Sequence, residues 1–138
     1  MDLPIKLEGV IYSVKDGKYR FLILKRTPEE GGFWQPLTGT LEDGEKLSDC
    51  LLRELQEETG IKEPLKITGE VWRFDWKKGE YTIIEFVFGI ELNGDEEIKL
   101  NPNEHSEDKW CSYDEAMQLL GRDNNKNAFR EFKKKFID

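Results

Sequence analysis

The amino-acid sequence predicts a single domain of the α/β class that spans residues 1–138. Two kinds of pattern predict this class. Apolar runs typical of strands form two hairpins, at residues 5–14 with 19–26 and at residues 67–76 with 81–92. Runs with helical spacing lie between and after the hairpins, at residues 47–59, 114–120 and 127–136. A chain of 138 residues buries about two-thirds of its unfolded surface, so it can form one sizeable core.

Charge and cysteine spacing narrow the functional classes. The net charge of −8 argues against a nucleic-acid partner, because such binding needs a basic surface. Cys50 and Cys111 lack zinc or redox spacing, and Cys50 is expected to pack as a small apolar residue. Without a signal peptide or a long apolar run, the expectation is a cytoplasmic protein with no membrane partner. The oligomeric state stays open between a monomer and a homodimer.

The first hairpin is predicted to turn at Asp16-Gly17, a pair that favours a two-residue turn between antiparallel strands. Its second strand, residues 19–26, is nearly continuous in apolar residues, which is typical of a central strand. This strand ends in Lys25 and Arg26. The two cations fit either a solvated strand end or a contact with a phosphate or base.

The helix predicted at residues 47–59 ends at Gly60, which favours the left-handed conformation of a helix C-terminus. Glu54, Glu57 and Glu58 share one narrow arc of this helix, because they are spaced i, i+3 and i+4. The adjoining arc is apolar and is expected to face the core; it consists of Leu51, Leu52 and Leu55.

Three carboxylates on one arc are locally unfavourable, because like charges at helical spacing repel each other. The last two also lie in the final turn, where the helix dipole favours cations. Converging carboxylate oxygens suit a hard divalent cation such as Mg²⁺ or Mn²⁺. The spacing alone leaves a metal site and an ordinary solvated acidic face equally open.

This region resembles the signature of the Nudix hydrolases: Gly, five free positions, Glu, seven free positions, then Arg-Glu-apolar-free-Glu-Glu-free-Gly-apolar. All nine defined positions match, at Gly39, Glu45, Arg53, Glu54, Leu55, Glu57, Glu58, Gly60 and Ile61. The resemblance implies the Nudix fold, a mixed β-sheet sandwiched between α-helices. It also implies hydrolysis of a phosphoanhydride bond with Mg²⁺ or Mn²⁺ as the cofactor.

The resemblance further implies the ligands of that cation. Glu54, Glu57 and Glu58 would bind it through their carboxylates, and Gly39 through its carbonyl oxygen. Gly39 follows a short strand predicted over residues 33–40, and a glycine there lets another group approach the backbone closely.

Three further motif residues, Arg53, Glu45 and Gly60, are expected to support the arrangement of the carboxylates. Arg53 lies outside the arc of the three glutamates and four residues before Glu57. We expect Arg53 to orient that carboxylate or to pair with Glu45. Glu45 and Gly60 are therefore interpreted as structural residues of the motif.

A second polar segment lies near the C-terminal end. Glu104 stands six residues before Trp110. In many Nudix enzymes a Glu with this spacing to a Trp at the start of a strand approaches the metals or acts as general base, so Glu104 is a candidate for either role. His105 is the only histidine, and its polar neighbours favour a surface position.

The second hairpin carries aromatic candidates for substrate binding. Trp72, Phe74 and Trp76 share one face of the strand predicted at residues 67–76, and Arg73 lies on the other. Three aromatic residues on one face fit core packing, and a Trp there could alternatively stack on a base or pterin ring. Trp72 and Arg73 are retained as substrate-binding candidates.

The residues before the motif indicate a substrate. Trp34-Gln35-Pro36-Leu37-Thr38-Gly39 is similar to the Trp-Gln-x-x-Thr-Gly run of Nudix enzymes that hydrolyse dihydroneopterin triphosphate and deoxynucleoside triphosphates. By that resemblance Trp34 and Gln35 bind substrate, and so does Arg26, because related proteins often carry Arg there. The expected partner is a small nucleotide or pterin triphosphate, cut to a monophosphate and pyrophosphate. Two alternatives stay open: a dinucleoside polyphosphate hydrolase, and a non-catalytic nucleotide sensor.

Overall fold

The computed structural model describes residues 4–138. The strands are β1 (Ile5–Lys15), β2 (Lys18–Arg26), β3 (Trp34–Gln35), β4 (Leu37–Thr40), β5 (Lys66–Lys78), β6 (Tyr81–Glu91) and β7 (His105–Cys111). The helices are α1 (Leu47–Thr59), α2 (Tyr113–Leu119) and α3 (Asp123–Phe136), and a short 3₁₀ turn spans Pro28–Glu30. No helix within this part of the chain is long and apolar enough to cross a membrane.

The strands form one mixed sheet. Its main path runs β3-β2-β1-β6-β5, with β4 paired to β1 and β7 paired to β2. Only the β1–β6 pair is parallel among these, and the two predicted hairpins, β1–β2 and β5–β6, are antiparallel. Asp16 and Gly17 both have positive φ, 53° and 75°, as a tight two-residue hairpin turn requires.

Helices cover both faces of the sheet, which confirms the predicted α/β sandwich. Side chains along β1 alternate between two cores. Leu7 and Ile11 pack with α1 on one face, whereas Val10 and Tyr12 pack on the other face with α3. The sheet therefore separates the helix that carries the acidic motif from the C-terminal helices.

The bounds of α1 match the prediction from helical spacing. Gly60 ends the helix with φ of 78°, in the left-handed region. Leu51, Leu55 and Cys50 are fully buried in the core beneath α1. This packing holds the acidic arc of the helix at the rim of that core.

Three expectations about the other elements were wrong in detail. The strand predicted over residues 33–40 is divided at Pro36, which has no N–H to donate to a neighbouring strand. The family pattern of a Trp at the start of a strand is not followed, because Trp110 is the sixth residue of β7, which begins at His105. The last helix begins at Asp123, four residues earlier than predicted, and Phe136 at its end is 40% exposed.

Candidate metal and substrate site

Three carboxylates converge on one point at the C-terminal half of α1. Glu54, Glu57 and Glu58 each offer an oxygen, and these oxygens lie within 4.8 Å of one another. Glu58 is buried, Glu54 is partly buried and Glu57 is exposed. The cluster therefore runs from the core to the solvent, as a site that takes up a cation from solution requires.

The raised pKa of Glu54 indicates that the ionised cluster is unfavourable without a cation. Burial, together with the charges of Glu57 and Glu58, raises the pKa of Glu54 to about 7, against the lowering effect of Arg53. A divalent cation would relieve this repulsion, and oxygen donors are the ligands that Mg²⁺ and Mn²⁺ prefer. The donor set fits such an ion.

Gly39 in β4 lies directly against Glu54. A Cβ atom added at Gly39 would come within 2.7 Å of Cδ of Glu54, and it would clash with Cγ as well. Only glycine leaves room for this side chain to turn toward the cluster. The proximity places the Gly39 backbone beside a predicted ligand.

Arg53 contacts three glutamates of the motif, and one of them is Glu45, its predicted partner. Its Nε and Nη2 donate to the two carboxylate oxygens of Glu45 at 2.8 and 3.1 Å, and Nη1 donates to Glu54 at 2.9 Å. Nη1 also lies 3.4 Å from Glu57. The hydrogen bonds from Arg53 lower the pKa of Glu45 to about 2, so Glu45 stays ionised and anchors the guanidinium.

His105 is not a surface residue, and that expectation was wrong. Its side chain is 2% exposed, and Nδ1 lies 2.8 Å from Oε2 of Glu58. Nε2 lies 2.9 Å from Nε2 of Gln35. Polar neighbours along the sequence conceal this burial, because the four residues that follow His105 in β7 are exposed and only the first and last residues of the strand are buried.

Glu104 lies across a cavity of about 350 Å³ from α1. This cavity is lined by Glu104, Glu54, Gly39 and Arg53, among others. The Glu104 side chain is 46% exposed, and Oε2 accepts a hydrogen bond from Arg26 at 3.4 Å. Glu104 is not part of the three-carboxylate cluster, so its role as ligand or base stays a prediction.

A second, larger cavity of about 510 Å³ adjoins the first. The two share Lys6, Arg26 and Thr38. Gln35 and Trp76 also line the larger one. Of the predicted substrate-binding residues, Arg26 and Gln35 therefore face a cavity.

The other three substrate candidates lie elsewhere. Trp34 packs at the edge of the core under α3, with Lys25 5.9 Å from its ring centroid. Trp72 stacks on Phe74 with ring centroids 4.7 Å apart, and Arg73 lies over Phe86. Among the described residues none of these three candidates lines either cavity, and their contact with substrate stays a prediction.

Known proteins share both the sequence pattern and this architecture. A family model described as NUDIX domain matches residues 7–132. The octanoyltransferase of Myxococcus xanthus is 34% identical over 127 residues, which cover 87% of this chain but only 35% of that protein. Bis(5'-nucleosyl)-tetraphosphatase (asymmetrical) of Rattus norvegicus is 33% identical over 102 residues, 71% of this chain and 68% of that protein. The structure of the E. coli dihydroneopterin triphosphate pyrophosphohydrolase has a TM-score of 0.79 at 26% identity, covering 93% of each chain.

Proposed function

This chain belongs to the Nudix hydrolase family, and on that basis we propose that it cleaves a phosphoanhydride bond in a nucleoside-triphosphate-like substrate. The products are a monophosphate and pyrophosphate, and the reaction depends on Mg²⁺ or Mn²⁺. Dihydroneopterin triphosphate or a deoxynucleoside triphosphate is the preferred substrate.

The observation that carries this proposal is the carboxylate cluster beside a cationic cavity. The oxygens of Glu54, Glu57 and Glu58 lie within 4.8 Å of one another. Lys6 and Arg26 line both cavities beside it. Phosphoryl transfer needs positioning and charge neutralisation more than covalent chemistry, and this arrangement supplies both.

Each side chain has a distinct task in the proposed reaction. Glu54, Glu57 and Glu58 would hold the cation, which when bound neutralises the diphosphate and lowers the pKa of a water molecule. Arg26, which lines both cavities, would donate to the phosphate chain through its guanidinium group. Glu104 accepts the proton of the attacking water on Oε1, since Oε2 is engaged by Arg26.

The linings of the two cavities fit a substrate that has a phosphate chain at one end and a ring at the other. The smaller cavity adjoins the carboxylates, and the larger has aromatic and polar walls. This division fits a single triphosphate. The similarity of the Trp34–Gly39 run to pterin and deoxynucleotide hydrolases supports the same choice.

A dinucleoside polyphosphate is the second candidate substrate. The similarity to the rat bis(5'-nucleosyl)-tetraphosphatase favours it. A non-catalytic sensor is disfavoured, because a sensor has no need to keep the complete set of motif carboxylates.

Incubation of the purified chain with Mg²⁺ and a substrate panel tests the proposal. The panel contains dihydroneopterin triphosphate, the four deoxynucleoside triphosphates and diadenosine tetraphosphate, and products are identified by ³¹P NMR. Monophosphate plus pyrophosphate from a triphosphate supports the first candidate. Orthophosphate as the direct product, or a strong preference for the dinucleotide, refutes it.

A further inference from the structure

A buried acid lies at the centre of the sheet, on the face that carries α3. Glu8 in β1 is 0% exposed. Asn125, in the first turn of α3, donates Nδ2–H to Oε1 of Glu8 at 2.5 Å. Glu85 lies in the neighbouring strand β6, opposite Lys6 in the parallel pairing with β1. Burial of an acid at this depth needs a specific arrangement of protons and donors around it.

Glu8 and Glu85 lie close enough for one proton to bridge their carboxyl groups. Burial, and next the charge of Glu85, raise the pKa of Glu8 well above its ordinary value. The two side chains are within hydrogen-bonding reach of each other. Oε2 of Glu8 has no other partner among residues 4–138. A proton on Oε2 of Glu8, donated to Glu85, satisfies both carboxyl groups.

This proton determines which end of the Asn125 amide faces away from Glu8. With Oε2 as the donor, Oε1 of Glu8 is left as an acceptor, so Nδ2 of Asn125 must be the atom that contacts it. Oδ1 of Asn125 then has its lone pairs free, and it has no partner within the described chain. A buried carbonyl oxygen without a donor is destabilising, so a donor on a bound ligand would stabilise this atom.

The two residues that carry the remaining acceptors line the larger cavity. Asn125 and Glu85 contribute to its wall, together with the rings of Trp76 and Phe33. Trp76 donates Nε1–H to Oε1 of Glu85 at 2.8 Å, which holds that carboxylate in place. A planar ring that enters this cavity would therefore meet aromatic surface and two hydrogen-bond acceptors.

We propose that the larger cavity binds a 2-amino-4-oxopyrimidine ring, the group that guanine and pterins share. The inference rests on the proposed function, since the phosphates of such a substrate would lie in the adjoining cavity. The ring N–H and the 2-amino group are adjacent donors on one edge. They donate to Oδ1 of Asn125 and to the carboxylate of Glu85.

The other common bases lack this edge. Adenine and cytosine have one amino donor beside a ring-nitrogen acceptor. Thymine and uracil have a single ring N–H between two carbonyl oxygens. Each of them would place an acceptor against Asn125 or Glu85 and leave a buried oxygen unpaired, which is a strong basis for rejection.

Glu8 acts as a positioning residue, because it holds both acceptors without touching the ring. Glutamine at this position reproduces the protonated acid: its oxygen accepts from Asn125 and its amide donates to Glu85. Leucine has neither group. Glu8→Gln is therefore expected to keep ring selectivity, and Glu8→Leu to lose it.

Calorimetric titration with the α,β-methylene analogues of dGTP, dITP and dATP in Mg²⁺ tests the proposal, because dITP differs from dGTP only by the missing 2-amino group. The parent protein should bind the dGTP analogue about ten-fold or more tightly than the dITP analogue. The ratio should fall toward one in Asn125→Leu and Glu85→Gln and persist in Glu8→Gln. Glu80→Gln, which removes an exposed carboxylate from the same hairpin, should leave it unchanged.

The outcomes separate the ring assignment from the reaction. Equal affinity for the dGTP and dITP analogues, tighter binding of the dATP analogue, or no binding of any of them overturns the ring assignment. Competition between dihydroneopterin triphosphate and the dGTP analogue shows whether the cavity prefers a pterin or a guanine. The quantity measured is the inhibition constant of dihydroneopterin triphosphate. Hydrolysis of dGTP and dITP with equal efficiency refutes the ring assignment alone, whereas selective binding without hydrolysis refutes the proposed reaction alone.

Discussion

His105 donates a hydrogen bond to Glu58, one of the three clustered carboxylates. The distance from Nδ1 to Oε2 is 2.8 Å, and both side chains are almost fully buried. The amide of Gln35 donates to Nε2 of the same ring at 2.9 Å, so the proton of the neutral imidazole resides on Nδ1. One oxygen of Glu58 is thereby held, and the other is left for a cation.

Loss of this hydrogen bond should weaken cation binding. His105→Leu replaces the imidazole with an apolar side chain of similar size and removes the donor to Glu58. We expect the affinity for Mn²⁺, measured by electron paramagnetic resonance, to fall about 10- to 100-fold. His105→Asn restores a donor near the position of Nδ1 and should recover most of the loss. Wild-type Mn²⁺ affinity in His105→Leu would show that the contact only fills space.

The close approach of Gly39 to Glu54 gives a second test. Gly39→Ala places a methyl group against the Glu54 side chain, so we expect lower Mn²⁺ affinity and slower hydrolysis. Gly69→Ala is the matched control, because a Cβ there meets nothing within 4 Å. Equal Mn²⁺ affinity in the two variants would contradict the predicted role of Gly39.

Glu104 is the predicted proton acceptor, and its neighbour in sequence Glu107 provides the control. Glu104 lines the cavity beside the cluster, whereas Glu107 is exposed and pairs with Lys25. Glu104→Gln should lower kcat about 100-fold or more and remove the acidic limb of the pH–rate profile. Glu107→Gln should retain both. A Glu104→Gln enzyme with the parent rate and pH profile would assign proton transfer to another carboxylate.

The raised pKa of Glu8 predicts a pH-dependent loss of stability. Above the ordinary value of about 4.5 the unfolded chain releases this proton while the folded protein retains it. In that window, up to the raised pKa of the folded state, stability falls by up to about 1.4 kcal/mol per pH unit. Glu8→Gln carries no such proton, so its free energy of unfolding relative to the parent should rise with pH.

Urea unfolding at pH 4.5 and pH 7.5 measures this difference. Glu80→Gln, with its exposed side chain, should follow the parent protein at both values. A difference between Glu8→Gln and the parent that does not change with pH would mean that Glu8 is ionised in the folded state.

The sequence predicted those parts of the site that local spacing determines. Glu54, Glu57 and Glu58 follow one another on a single helix, so their convergence depends only on the helical period. The end of α1 at Gly60 is equally local, because a glycine with positive φ closes the helix. The approach of Arg53 to Glu45 spans only eight residues and followed from the family motif.

The missed residues depend on tertiary contacts that no local pattern contains. Glu8 and Asn125 are 117 residues apart, and they meet only because α3 docks on the β1 face of the sheet. The Asp123–Lys126 segment is rich in residues that favour turns, so the sequence pattern predicts α3 only from Asn127. His105 was misplaced for a similar reason, since its partners lie 47 and 70 residues away.

The dependence of hydrolysis on the carboxylate cluster is measured most directly by the rate of Glu57→Gln. The substitution removes a charge at nearly constant volume on an exposed part of α1, so the fold should be retained. With the best substrate and saturating Mg²⁺, the rate should fall about 100-fold or more. Glu63→Gln, which changes another exposed carboxylate beyond the helix, should keep the parent rate. A Glu57→Gln enzyme that matches Glu63→Gln, or a parent enzyme undiminished in EDTA, would contradict a metal-dependent mechanism at this cluster.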